Sequence, residues 1–192
     1  MGFIEDHHTV MSVLAEVMEG MVEAASSVPI ERAVNWPVVS QNIPVIHFQE
    51  ALERVSRGLV RDVTAEPDLA PAYEAWLGEW AQQEYGSDFL YVEGYPARKR
   101  PIYTRSFDLL FRGQEIVTGG KRLHRHADYL QALSEHGLDT GGLEGYLAAF
   151  RYGMPPHGGV AIGLERFTAR LLGLSNIRQA TFFPRDMHRI EP

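Results

Sequence analysis

The chain has 192 residues, no cysteine and a net charge of −7, which describes one ordinary domain with a core of its own. The negative balance excludes a protein that grips nucleic acid by bulk attraction, and the missing cysteines exclude disulfides and thiolate metal sites while fitting a reducing cytoplasm. No apolar run reaches the length of a membrane span, and Met1-Gly2-Phe3-Ile4-Glu5-Asp6 has neither the basic and apolar regions of a signal peptide nor the hydroxyl at position 6 that myristoylation wants.

In chain order, residues 7–25 predict a helix. Val10, Val13, Leu14, Val17, Met18, Met21 and Val22 recur at helical spacing behind Asp6, a suitable N-cap, and read as core packing. Ser26-Ser27-Val28-Pro29 ends it. Residues 48–59 predict a second amphipathic helix. A third runs over 71–85, opened by proline and closed before Gly86, with Trp76 and Trp80 on one face for burial. Strand character begins at Phe89-Leu90-Tyr91-Val92. Residues 106–111 and 114–118 flank Arg112-Gly113 as a hairpin. Helices follow over 124–136 and 143–152, separated by turn-rich residues 137–142. Pro155-Pro156-His157-Gly158-Gly159 breaks the chain, Val160 to Gly163 resumes as a strand, and 164–172 is a helix with Gly173 at its end. Hairpins without regular β-α-β alternation predict an α+β fold, an antiparallel sheet flanked by helices.

The hairpin places chemistry. A two-residue turn pairs Phe111 with Gln114 and Leu110 with Glu115. Because side chains alternate along a strand, Asp108 and Glu115 converge on one side of the sheet. Two carboxylates that close raise each other's proton affinity unless a cation lies between them, and Mg²⁺ often joins such a pair to substrate phosphates. The other reading is two acids on the solvent side of an amphipathic hairpin; spacing alone favours it. Strict alternation sends Thr118 to the opposite face from Glu115, so a bulge near Gly119 is required to bring it round. Gly119-Gly120 before Arg122 permits close backbone approach beside a planar cationic fork. Arg166, on the first turn of its helix, opposes the dipole preference for acids and suggests an anionic partner. His7-His8 and His124-Arg125-His126 lack the i, i+4 spacing of helical metal pairs. Arg98-Lys99-Arg100 with Arg105 is a basic cluster that reads as a solvated loop or a local RNA contact.

The run Gly153-Met154-Pro155-Pro156-His157-Gly158-Gly159 through Gly163-Leu164-Glu165-Arg166, then Leu171-Leu172-Gly173-Leu174, Asn176-Ile177-Arg178 and Phe183-Pro184-Arg185-Asp186, resembles motif 3 and the C-terminus of class II aspartyl-tRNA synthetases, most closely the archaeal type. Ser106-Phe107-Asp108-Leu109-Leu110-Phe111-Arg112-Gly113 with Glu115-Ile116 and Gly119-Gly120 resembles the same aspartyl, asparaginyl and lysyl subgroup, and Met1-Gly2-Phe3-Ile4 looks like the segment after motif 2. The resemblance implies residues 1–192 are a C-terminal portion of such a catalytic domain. It implies ATP and Mg²⁺ as cofactors, aspartate (or asparagine) as substrate, and tRNA as acceptor. Arg166 matches the arginine on the ATP γ-phosphate, and Glu115 an acid that holds Mg²⁺–ATP. Asp108 stands where a second acid belongs, and Thr118 where a hydroxyl assists the metal. Arg122 matches the arginine that reads aspartate's side-chain carboxylate, and Gly163 a glycine beside the nucleotide. Motifs 1 and 2 and the anticodon-binding barrel are not in this sequence, and the stretch between Tyr103 and Ser106 is shorter than the family's hairpin. A fragment that is weak or inactive alone, a homodimer or a complementing synthetase half, a binding module without turnover, a paralogue with a non-tRNA acceptor, and a remnant are the readings left open.

Overall fold

The computed structural model describes residues 2–96, 99–100, 102–185 and 187. Its strands are β1 (Gly2–Phe3), β2 (Val45–His47), β3 (Phe89–Glu93), β4 (Tyr103–Phe111), β5 (Gln114–Arg122) and β6 (His157–Ile162). They form one sheet in the order β1-β6-β5-β4-β3-β2. Every neighbouring pair is antiparallel except β2 and β3, which run parallel.

The predicted hairpin is β4–β5. Phe111 faces Gln114 and Leu110 faces Glu115, closed by Arg112 (φ 48°) and Gly113 (φ 72°), the paired left-handed residues that match strand twist. Arginine tolerates that backbone because it is tied down. Its amide donates to the Asp88 carbonyl at 2.8 Å; its guanidinium reaches the Asn35 carbonyl at 2.6 Å and the Asp88 carboxylate at 3.0 Å.

Three strand limits differ from the sequence expectation by three residues or more. β4 starts at Tyr103, β5 runs on to Arg122, and β6 starts at His157 inside the supposed break. Glycines that read as punctuation are packing requirements instead. A Cβ on Gly158 would stand 2.7 Å from the Gly120 carbonyl oxygen, and one on Gly119 3.0 Å from that of Gly159, so glycine suits the close packing of these strands. β2 was not foreseen, since three residues carry too little alternation to register.

The sheet buries both faces. On one lie α1 (His7–Ser26) and α6 (Leu164–Leu171), packed on Phe107, Leu109, Phe111, Ile116 and Val117. On the other lie α2 (Phe48–Leu59) and α3 (Pro71–Tyr85), packed on Leu90, Val92 and Leu110. Asp6 caps α1 by accepting from the His8 and Thr9 amides. The expected α1 stripe is only partly core: Val10, Leu14, Met18 and Val22 are buried, whereas Val13 and Val17 are 56% and 43% exposed. They form a second apolar stripe, offset around the helix from the buried one. Trp76 and Trp80 rest against the second core as expected. α4 (His126–Glu135) and α5 (Glu144–Arg151) bury Tyr129, Leu147 and Phe150 in a separate small cluster.

One contact fixes the hairpin against α3. A Cβ on Gly78 would lie 2.3 Å from the Gly113 amide nitrogen, and one on Gly113 2.7 Å from Ala75 Cα. Two glycines thus bring helix and turn backbones into contact, which no side chain would allow.

Candidate functional site

The bulge that the Thr118 argument demanded exists, but at Ile116 rather than near Gly119. Leu109 faces Val117 while Leu110 faces Glu115, so Ile116 is the extra residue. Ile116 and Val117 both enter the first core, and Glu115 and Thr118 emerge on the other face. The Thr118 hydroxyl donates to Glu115 Oε1 at 3.1 Å. Asp108 lies directly across from Thr118. The structure therefore gathers Asp108, Glu115 and Thr118, as the sequence suggested, by a slightly different device.

Arg166 stands on the first turn of α6 and reaches the same oxygen. Its Nη1 donates to Glu115 Oε1 at 3.2 Å and to the Glu115 carbonyl at 3.1 Å. Both groups remain wet, at 47% and 29% exposed. A screened pair of this kind is worth little to stability and parts easily for a ligand. The next turn adds a brace, with Arg170 donating to Gln114 at 2.8 Å. Gly163, just before α6, donates its amide to the Ile116 carbonyl at 2.7 Å, tying the helix start to the bulge. A Cβ there would touch the Arg166 stem.

Asp108 is buried, and Arg100 donates to its Oδ2 at 2.6 Å. Burial pushes its carboxyl up to about 6; Arg100 opposes the rise, nearby Glu115 adds to it, and Tyr95 and Thr118 favour the ionised form. The Tyr95 hydroxyl is itself pushed well up, by burial first and by Asp108 second. Asp108 Oδ1 is buried with no hydrogen-bond partner. A buried acceptor left open is uncommon and suits a cation or a ligand proton.

Sequence reasoning missed Glu74. It sits in the first turn of α3, and its Oε2 accepts the Glu115 amide at 2.8 Å. Burial raises its pKa; the Glu115 amide bond opposes this and the Glu115 charge adds to it. Nothing in the local pattern announces Glu74, because the link spans 41 residues and depends on the Gly78–Gly113 contact.

Arg122 ends β5, in register with Tyr103, its guanidinium 5.9 Å from that ring. Its Nε is buried without a partner, a donor suited to a carboxylate. Of the basic cluster, Arg98 lies outside the described residues. Lys99 is 3.5 Å from Asp68, Arg100 is turned inward onto Asp108, and Arg105 is exposed. Among the described residues no helix is long and apolar enough to cross a membrane.

A six-stranded sheet with helices on both faces, and an arginine–carboxylate–hydroxyl cluster between a hairpin and a helix start, define a class II synthetase-like catalytic fold. The family model for class II tRNA synthetases (D, K and N) matches residues 1–187, and the chain belongs to that family. It is 44% identical to the aspartate–tRNA(Asp/Asn) ligase of Thermus thermophilus, covering all of this chain and 48% of that protein. It is 35% identical to the aspartate–tRNA(Asp) ligase of Pyrococcus horikoshii, covering 100% and 47%. Among solved structures, aspartyl-tRNA synthetase from Entamoeba histolytica superposes with a TM-score of 0.83 at 30% identity, over 100% of this chain and 43% of that one. Asparaginyl-tRNA synthetase from P. horikoshii complexed with asparaginyl-adenylate gives 0.84 at 27%, over 100% and 47%. The chain thus spans about half the length of the relatives it matches.

Proposed function

We propose that this chain is the C-terminal portion of an aspartyl-type class II catalytic domain and holds half of a Mg²⁺–ATP and aspartate site. The observation that carries this reading is the open chemistry on one sheet face. Asp108 Oδ1 is an unpartnered buried acceptor, Arg122 Nε is an unpartnered buried donor, and on the same face Glu115 meets the Thr118 hydroxyl and an exposed Arg166. Glu115, Asp108 Oδ1 and the Thr118 hydroxyl are hard oxygen donors, the set that Mg²⁺ takes beside phosphates, so these residues fit the ion. When bound, Mg²⁺ neutralises charge on the ATP phosphates.

The chain's own side chains do the rest. Arg166 leaves Glu115 and turns to the terminal phosphate of ATP, where its fork matches the oxygens. Glu115, freed of that contact, would help hold the metal. Gly163 leaves the nucleotide room beside the start of α6. Arg122 pairs with the side-chain carboxylate of aspartate and rejects asparagine, whose amide would put a donor against a donor. In the proposed activation, the α-carboxylate of aspartate attacks the ATP α-phosphorus and pyrophosphate leaves. The contribution of this half is positioning and charge; transfer to tRNA belongs to the whole enzyme.

A second reading, a binding half that turns over only with a complementing polypeptide, is favoured by a groove of about 310 Å³ lined by Phe3, Val13, Val17, Val160 and Ile162. It lies beside β1, whose outer edge pairs with no strand among the described residues. Aspartate-dependent ATP–pyrophosphate exchange on the purified chain, with Arg166→Ala as control, separates the readings. Exchange above the control supports activation by this half alone. No exchange, with Mg²⁺–ATP still raising the melting temperature, supports the binding half. Neither exchange nor protection defeats both.

A further inference from the structure

His7 and His8 open α1, and Glu93 closes β3. Packing brings them together: the Tyr91 hydroxyl, two residues before Glu93, donates to the Met11 carbonyl of α1 at 2.9 Å. Glu93 faces Phe107 in the ladder, so it projects from the face opposite Asp108, away from the ATP-facing cluster. His7 Nε2 is 2.8 Å from Glu93 Oε2, and the two imidazole rings are 4.1 Å apart. One donor atom from each of the three side chains lies within 4.8 Å of the others. His7 is 5% exposed, and its Nδ1 is buried with no hydrogen-bond partner. A cavity of about 240 Å³, lined by His7, Glu93, Tyr95, Arg105 and Ser106 among others, opens alongside.

We infer that His7, His8 and Glu93 form a site for a divalent transition-metal ion, Zn²⁺ being the representative. Two imidazoles and one carboxylate are ligands that zinc-like ions accept and Mg²⁺ does not favour. Bonds of about 2.0–2.2 Å to a tetrahedral ion hold its ligands roughly 3.4 Å apart. The His7–Glu93 pair opens slightly to admit the ion, and His8, exposed on the first helical turn, swings in to close the triangle. The fourth position is left to water or a ligand. Adjacent histidines on one helix are poor partners by themselves; Glu93, 86 residues away, supplies the third ligand that no local spacing could show.

The surrounding charges bear on this. The helix N-terminus disfavours a cation, Arg105 and His47 line the cavity, and the Lys121 ammonium donates to the Glu5 carbonyl. Against them stand Glu5, the N-cap Asp6 and Glu93 itself. The local sum permits a cation. The inference does not depend on the ATP reading, because it uses the other face of the sheet.

The test is calorimetric titration of tag-free, chelator-stripped protein with Zn²⁺, with the visible spectrum of added Co²⁺ as a second readout. One ion per chain is expected. Its affinity should fall at least tenfold in His8→Ala and in Glu93→Gln, both chosen because neither side chain is fully buried, with circular dichroism to show that each variant is folded. Glu115→Gln should leave it unchanged. No saturable binding, or equal binding in both variants, overturns the site. Loss of zinc in Glu115→Gln puts the ion on the other face and overturns it equally.

Discussion

A carboxylate with 2% of its side chain exposed, as Asp108 has, is costly to ionise even beside an arginine. Unfolded it titrates near 3.8; folded, burial lifts it to about 6. Between these values the native state holds the extra proton, so the stability due to this group is full below about pH 4 and is lost as pH rises through 6. Two units correspond to about 3 kcal/mol. The unfolding free energy of the wild type relative to Asp108→Asn should therefore drop by about 2–3 kcal/mol between pH 4 and 7 in urea titrations; a flat difference means burial does not govern this group. The same titration has a functional face. A metal can use Asp108 Oδ1 only after the proton leaves, so Mg²⁺–ATP affinity should decline below pH 6. Glu74 makes a separate claim. Its Oε2 satisfies the Glu115 amide; Gln keeps that acceptor and Ala removes it. Glu74→Ala should cost about 1–3 kcal/mol and weaken Mg²⁺–ATP binding, because Glu115 loses its anchor, while Glu74→Gln should stay near wild type in both. Equal losses in the two variants would show that the charge, not the hydrogen bond, matters.

At the scale of elements, the tightest demand is where α3 meets the hairpin turn. Gly78→Ala sets a methyl group 2.3 Å from the Gly113 nitrogen and 2.4 Å from its Cα, atoms of backbone that cannot rotate away. The helix must retreat, at a cost of about 1–3 kcal/mol as in other overpacked contacts, and it carries Glu74 with it. Chemical denaturation should show the loss, and Mg²⁺–ATP binding should weaken along with it. The end of α2 gives the opposite sign. Val60 is β-branched, 93% exposed and held at φ 52°, where glycine is the preferred cap. Val60→Gly should raise stability by about 1 kcal/mol, seen as a higher melting temperature without change in ligand binding. These elements also explain what the sequence could and could not disclose. The β4–β5 register was legible because a two-residue turn with glycine fixes it and the alternation on both sides agrees. The bulge was half legible: Thr118 required one, but Ile116 and Val117 are both apolar, so neither announces itself as the extra residue. Glu74 and the His7–Glu93 contact were hidden, since each joins segments far apart in sequence, and periodicity carries only local information. β6 was shortened because glycine has two meanings, turn and close strand packing, which composition does not distinguish.

For the whole molecule, the question is what covers the side that bears β1. Phe3 is 77% exposed, and with Val13 and Val17 it lines the groove of about 310 Å³. β1 offers an unpaired edge beside it among the described residues. An apolar groove next to a free strand edge is a template for another strand, and the chain spans about half the length of its relatives. The proposed occupant is accordingly the complementary half of a class II catalytic domain, adding a strand to β1 and apolar side chains to the groove. Left alone, the chain should self-associate through the same surface as its concentration rises, giving a concentration-dependent sedimentation coefficient. Adding the complementary half of the Thermus thermophilus relative as a separate polypeptide should convert this to a one-to-one complex with a higher melting temperature. Val13→Glu with Val17→Glu should abolish both associations while Mg²⁺–ATP still protects the fold, because these positions lie on α1, across the sheet from Asp108 and Glu115. Sedimentation velocity decides the matter. If the doubly substituted chain associates as strongly as the wild type, the groove is not the joining surface.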